Sequence, residues 1–143
     1  MAYTIEGLME DAQATVATVT ALKRVDYPPP ATSYPNGLWA YLEYGGAQIE
    51  QASEEITIHT IEIHCLKPTS GTLGTDYAAV VSAALQVHRA FYGNTVIDEE
   101  AALSSQATIS KPDIISYGET MNVRCTLTLL CTTGEEVSHL VTD

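Results

Sequence analysis

The stretch ETMNVRCTLTLLC, residues 119–131, decides the fold. Met121, Val123, Cys125, Leu127, Leu129 and Cys131 alternate with Asn122, Arg124, Thr126, Thr128 and Leu130. A period of two is that of a β-strand, whose successive side chains leave on opposite faces. One face of this strand is therefore buried and the other polar, as in an antiparallel sheet covered on one side. Gly118-Glu119 turns the chain just before it. Residues 107–117 read as a preceding strand interrupted by Pro112, which has no N–H for a ladder. Residues 132–143 read as a polar tail that pairs with another strand or stays mobile.

Further upstream, residues 55–67 predict a long strand whose alternation changes phase. Ile56 and Ile58 share one face, whereas Ile61, Ile63 and Cys65 share the other. A β-bulge near His59-Thr60, or a strand that crosses between two surfaces, accounts for this. Residues 38–44 predict a strand with Leu38, Ala40 and Leu42 on one face and Trp39, Tyr41 and Glu43 on the other. Gly45-Gly46 reads as a turn into a second strand over 47–52.

Two helices frame these strands. In 4–25 the apolar positions Ile5, Leu8, Met9, Ala12, Val16, Val19 and Leu22 recur mostly at three and four, one stripe of a helix, with Thr4 as its N-cap. A second helix starts at Thr75 or Asp76, runs to Tyr92 and ends at Gly93-Asn94, with Tyr77, Val80, Val81, Ala84, Leu85, Val87, His88 and Phe91 as its stripe. Residues 26–37, DYPPPATSYPNG, hold four prolines and form an extended loop closing on an Asn-Gly turn. Residues 95–106 read as an acidic connection. The expected fold is a single α+β domain over 1–143: a mostly antiparallel sheet with two helices packed on one face.

Eighteen acidic residues against six basic ones give a formal net charge of −12, although 45% of the 143 residues are apolar. The chain can thus form a core while presenting a negative surface, which excludes phosphate gripping and anionic lipid as its business. No apolar run is long enough for a membrane span, and the first residues lack the basic start and apolar stretch of a secretory signal. Three cysteines, an odd number without a CxxC pair, argue against a disulfide framework or a zinc site and for a reducing compartment.

Chemistry-bearing patterns are few. Cys65, Cys125 and Cys131 fall in phase with apolar neighbours and read as small core residues with no base beside them. His59 and His64, five apart on one strand, point to opposite faces and so read as strand-surface histidines, not a ligand pair. GTLG at 71–74 lacks the lysine and further glycines of a phosphate loop. The acidic runs Glu54-Glu55, Asp98-Glu99-Glu100 and Glu135-Glu136 read as solvated charge. Eight tyrosines stand against one phenylalanine. Tyr27, Tyr34, Tyr41 and Tyr44 gather around the proline loop, and a surface of this kind suits protein contacts. No catalytic residue, metal or cofactor is expected.

The order of elements resembles the tail terminator (tail completion) proteins of long-tailed bacteriophages. The matching stretches are residues 4–25, DYPPPATSYPNGLWAYLEY, EITIHTIEIHCLKP, TDYAAVVSAALQVHRAFYG and ISYGETMNVRCTLTLL, nearly the whole chain. The resemblance implies a structural role in the neck of a virion made in the host cytoplasm. There a homo-oligomeric ring, typically a hexamer, caps the tail tube, stops its polymerisation and offers a surface to a head-closure or connector protein. Partners would be further copies of the chain, the tube protein and that connector, with DNA passing through unbound. Under this reading Glu54, Glu55, Asp98, Glu99 and Glu100 line the channel, while Tyr27, Tyr34, Tyr41 and Tyr44 supply assembly contacts. Two alternatives stay open: a head-closure or adaptor protein of the same neck, and a small cytosolic α+β enzyme or ligand-binding module with a pocket around Glu62, His88 and Tyr92.

Overall fold

The computed structural model describes residues 4–51, 54–92 and 101–136. In chain order its elements are α1 (Ile5–Val16), β1 (Val25–Asp26), β2 (Trp39–Gln51), β3 (Glu54–Pro68), α2 (Leu73–Tyr92), β4 (Ala101–Ile109), β5 (Asp113–Tyr117) and β6 (Thr120–Glu136). The strands form one sheet in the order β1-β2-β3-β6-β4, with β5 also pairing to β6. The β1–β2 pair is parallel and all others are antiparallel. The fold is α+β, and both helices bury their stripes on one face of the sheet.

That shared core follows from the alternation. Ala40 and Leu42 of β2, Ile61, Ile63 and Cys65 of β3, and Val123, Cys125, Leu127, Leu129 and Cys131 of β6 face Leu8, Met9, Ala12 and Val16 of α1 and Val80, Ala83, Ala84, Val87 and Phe91 of α2. Each large aliphatic side chain removed from water here contributes about 1.5–3 kcal/mol. All three cysteines are free and buried, as their phase predicts. Burial pushes the Cys65 thiol up to about 12 and that of Cys131 to about 11, so neither supplies a thiolate nucleophile near neutral pH.

Several expectations are corrected. Thr4 does cap α1, accepting from the Gly7 N–H at 2.9 Å, but the helix stops at Val16 instead of reaching Val25. The sequence beyond, ATVTAL at 17–22, is rich in β-branched residues, which are poor helix formers. The Thr18 hydroxyl bonds back to the Thr15 carbonyl at 2.6 Å, and the chain continues in i→i+3 bonds from Val19 to Val16 and from Leu22 to Val19. This tighter winding still buries Val19 and Leu22. Gly45-Gly46 is not a turn: β2 runs straight through it, and the register passes from Tyr44↔Ile61 to Ala47↔His59, leaving two glycines opposite Thr60 alone. The bulge therefore lies in β2, not in β3. Strand β3 keeps one register against β6 from Glu54↔Glu136 to Pro68↔Asn122, so its change of phase comes from no bulge on that side, and Ile56 and Ile58 are only half-buried.

The second helix starts at Leu73, two residues before Thr75, and Asp76 does not cap it. Residues 101–106, expected in a connection, belong to β4. Pro112 does interrupt the sheet, separating β4 from β5 on the same flank of β6. Residues 132–136 of the expected tail extend β6 and pair with β3, while 137–143 lie outside the described residues.

Candidate functional site

The side of the sheet turned away from the helices carries the polar and aromatic groups. At its closed end the proline loop folds over it. Trp39, Tyr41 and Leu66 form a second buried cluster, with Tyr34, Ile115 and Tyr117 packed against it. Tyr117 meets Trp39 edge-on at 5.2 Å between ring centroids, and its hydroxyl donates to the Pro30 carbonyl, tying β5 to the loop. The Trp39 indole N–H donates to Asn122 Oδ1 at 3.2 Å, so Asn122, expected on a polar face, is wholly buried as a tryptophan partner. A shallow recess of about 360 Å³ lies beside this cluster, lined by Thr32, Ser33, Pro35, Tyr117, Gly118, Glu119 and Thr120.

Next to the aromatic cluster the register stacks two cross-strand rows. Tyr41 of β2 stands opposite His64 of β3, which stands opposite Thr126 of β6; two residues along, Glu43 stands opposite Glu62. All lie on one face because their positions differ by two. The His64 ring stacks on Tyr41 with centroids 4.6 Å apart and planes at 25°. Its Nδ1 meets Thr126 Oγ1 at 2.9 Å, and its Nε2 meets Glu43 Oε1 at 3.0 Å and Glu62 Oε1 at 3.5 Å. Burial lowers the His64 pKa against the upward pull of Glu43, with Arg124 assisting the decrease and Glu62 opposing it. Arg124 itself is clamped by Asp113 through Nη2 at 2.8 Å and Nε at 3.2 Å.

On the helix side, His59 is buried between the Tyr44 hydroxyl, 2.7 Å from Nδ1, and Thr133 Oγ1, 3.1 Å from Nε2. Burial lowers its pKa as well. The two histidines do take opposite faces, but neither is a surface residue. Near the start of α2, Asp76 is fully buried and accepts from Lys67 Nζ at 2.6 Å, the Ser70 hydroxyl at 2.8 Å and the Ser70 N–H at 2.8 Å.

The expected site residues are dispersed. Tyr27 and Tyr44 pack against the helix-side core, Tyr34 and Tyr41 against the aromatic cluster on the other face. Glu54 and Glu55 pair in register with Glu136 and Glu135 at one end of β3. Asp98, Glu99 and Glu100 lie outside the described residues. The pocket imagined around Glu62, His88 and Tyr92 does not form: His88 and Tyr92 sit on α2, their rings 6.2 Å apart, while Glu62 faces away from the helices beside His64. The grouping of Glu43, Glu62 and His64 went unread because it spans two strands, 19 to 21 positions apart for Glu43. The alternation of both strands was the available signal, once their register is known.

No family model matches the chain, and no curated protein does. Among solved structures, one chain of an assembly described as the virion of a native gene transfer agent (GTA) particle is similar over 89% of this chain and 92% of its own length. The two are 16% identical, with a TM-score of 0.45.

Proposed function

We propose that this protein is a structural component of a phage neck, a tail terminator whose copies close into a ring on the tail tube. The reading rests on two things. The first is the element order, helix, strand pair, helix and strand group, in which the chain resembles the tail terminators. The second, which carries most weight, is the outer edge of β2. Strand β1 pairs only with Ala40 and Tyr41, so among the described residues the edge from Leu42 to Gln51 has no strand beside it. Ile49 stands 60% exposed there. Past the Gly45-Gly46 bulge, the open stretch Ala47–Gln51 with its exposed apolar side chain is a template for strand addition. A ring of identical copies satisfies such an edge through a head-to-tail contact that closes. The tyrosines at 27, 34, 41 and 44 would buttress this contact and not form it, since much of each ring packs inside the protein.

Light scattering on the purified chain tests the ring. The expected result is a closed oligomer that forms with rising concentration and that Ile49→Lys abolishes without lowering the melting temperature. A monomer at every concentration overturns the ring. Deleting the gene from its phage tests the role: tails of uncontrolled length are expected. Tails of normal length that fail to join heads would instead identify a head-closure protein.

A further inference from the structure

We propose that Glu43, Glu62 and His64 form a site for a divalent first-row transition-metal ion, zinc above the others. One ligand atom from each, two carboxylate oxygens and the imidazole Nε2, lies within 4.8 Å of the other two. Three donors so disposed can share a single ion at the usual bond lengths of about 2.0–2.2 Å after small side-chain rotations. Nothing about this site depends on the ring reading.

Two further observations support it. First, Glu43 and Glu62 are directly opposed on adjacent antiparallel strands, where like charges repel. Their oxygens nonetheless converge on one imidazole nitrogen, at 3.0 and 3.5 Å. Arg124, the nearby cation, makes its ion pair with Asp113 and not with either glutamate. A dication would answer their charge. Second, the histidine is already oriented as a ligand. Nδ1 is engaged by Thr126, the ring is held against Tyr41, and Nε2 is directed at the carboxylates. A hydrogen bond on the far ring nitrogen is the usual companion of a metal-bound histidine.

The donor set selects the metal. Imidazole suits zinc and its neighbours, and an all-oxygen shell would suit magnesium or calcium better. Three protein ligands leave a position for water or another donor, and Glu43, half exposed, keeps the site accessible.

Isothermal titration of the chain, freed of any affinity tag, with zinc chloride tests the site; cobalt(II) as a second probe gives visible bands when bound by nitrogen and oxygen in a tetrahedral shell. One ion per chain is expected, with tighter binding as pH rises through the histidine range. Glu43→Gln, Glu62→Gln and His64→Gln should each weaken zinc at least about tenfold, and Thr126→Val by about tenfold through loss of the histidine's orientation. The half-exposed Glu43→Gln variant keeps the test informative even if His64→Gln fails to fold. Zinc affinity unaltered in Glu43→Gln and Glu62→Gln, absence of saturable binding, or magnesium binding as tight as zinc would each overturn the proposal.

Discussion

At the scale of single residues, Asp76 shows how a buried charge is made tolerable. Its carboxylate gains three donors, and the Lys67 ammonium, foremost among them, with the Ser70 N–H and hydroxyl, holds its pKa near 2 against an ordinary 3.8. Because the folded value is the lower one, its contribution is complete above 3.8 and is lost as pH falls from there toward about 2. Asp76→Asn should therefore cost about 2 kcal/mol in urea unfolding near neutral pH, the scale of hydrogen bonds to a charged group. The gap between wild type and variant should close in acid as the wild-type carboxylate is protonated. A gap that persists unchanged in acid would mean that shape and not charge holds the loop. The sequence made Asp76 look like a helix cap, since a lone acid before an apolar stripe has that meaning by default; its true partners lie six and nine positions upstream and come into reach only once β3 and α2 are docked. The three cysteines, by contrast, were legible without any docking, because phase alone told which face they occupied. His64 was legible as to face, but its partners Glu43 and Thr126 depend on register, which alternation by itself leaves open.

At the scale of elements, the β2 bulge shows a local signal read with the wrong consequence. Two glycines between apolar runs ordinarily mean a hairpin. Here Gly46 does adopt φ +95°, but Gly45 is needed for closeness: a Cβ on it would lie 2.9 Å from Thr60 Cγ2, 3.2 Å from Thr60 Cβ and 3.4 Å from the Thr60 carbonyl oxygen. The chain passes over the methyl of the opposite residue and goes on as strand. Gly45→Ala should cost about 1–3 kcal/mol by overpacking, and Thr60→Ser, which deletes that methyl, should recover part of the loss in the double variant. Gly46→Ala should cost about 1–2 kcal/mol through backbone strain, and Thr60→Ser should not recover it. Thermal unfolding of the wild type, the three single variants and the two double variants separates the two causes; equal rescue of both glycine variants would refute the distinction. A similar limit explains α1. The hydrophobic stripe that starts in it runs on to Leu22 and is buried from Leu8 onward, so the periodicity was read correctly, yet β-branched residues and a back-bonding threonine tighten the winding after Val16. Burial periodicity reports which side faces the core and is nearly blind to whether the last turns close at i+4 or i+3.

At the scale of the whole molecule, the net charge of −12 has to be placed somewhere, and the register places part of it. At the end of the sheet away from Trp39, Glu54 stands opposite Glu136 and Glu55 opposite Glu135, with Glu50 one pair earlier on β2. The register thus gathers acidic positions at one tip of the sheet. In the proposed ring, with six copies carrying about −70 in all, these tips would border the channel, where acid repels the DNA backbone and lets it slide. Glu54→Lys combined with Glu135→Lys should then convert the assembled ring into a DNA binder, whereas two lysines placed at Glu6 and Glu10 on the exposed side of α1 should not. The new affinity should fall with salt by a slope of about 0.9 per phosphate contacted, a signature of counterion release. A control pair at 6 and 10 that binds DNA equally well would show that the tips do not face the channel, and would leave the acidity as a means of keeping a sticky strand edge soluble.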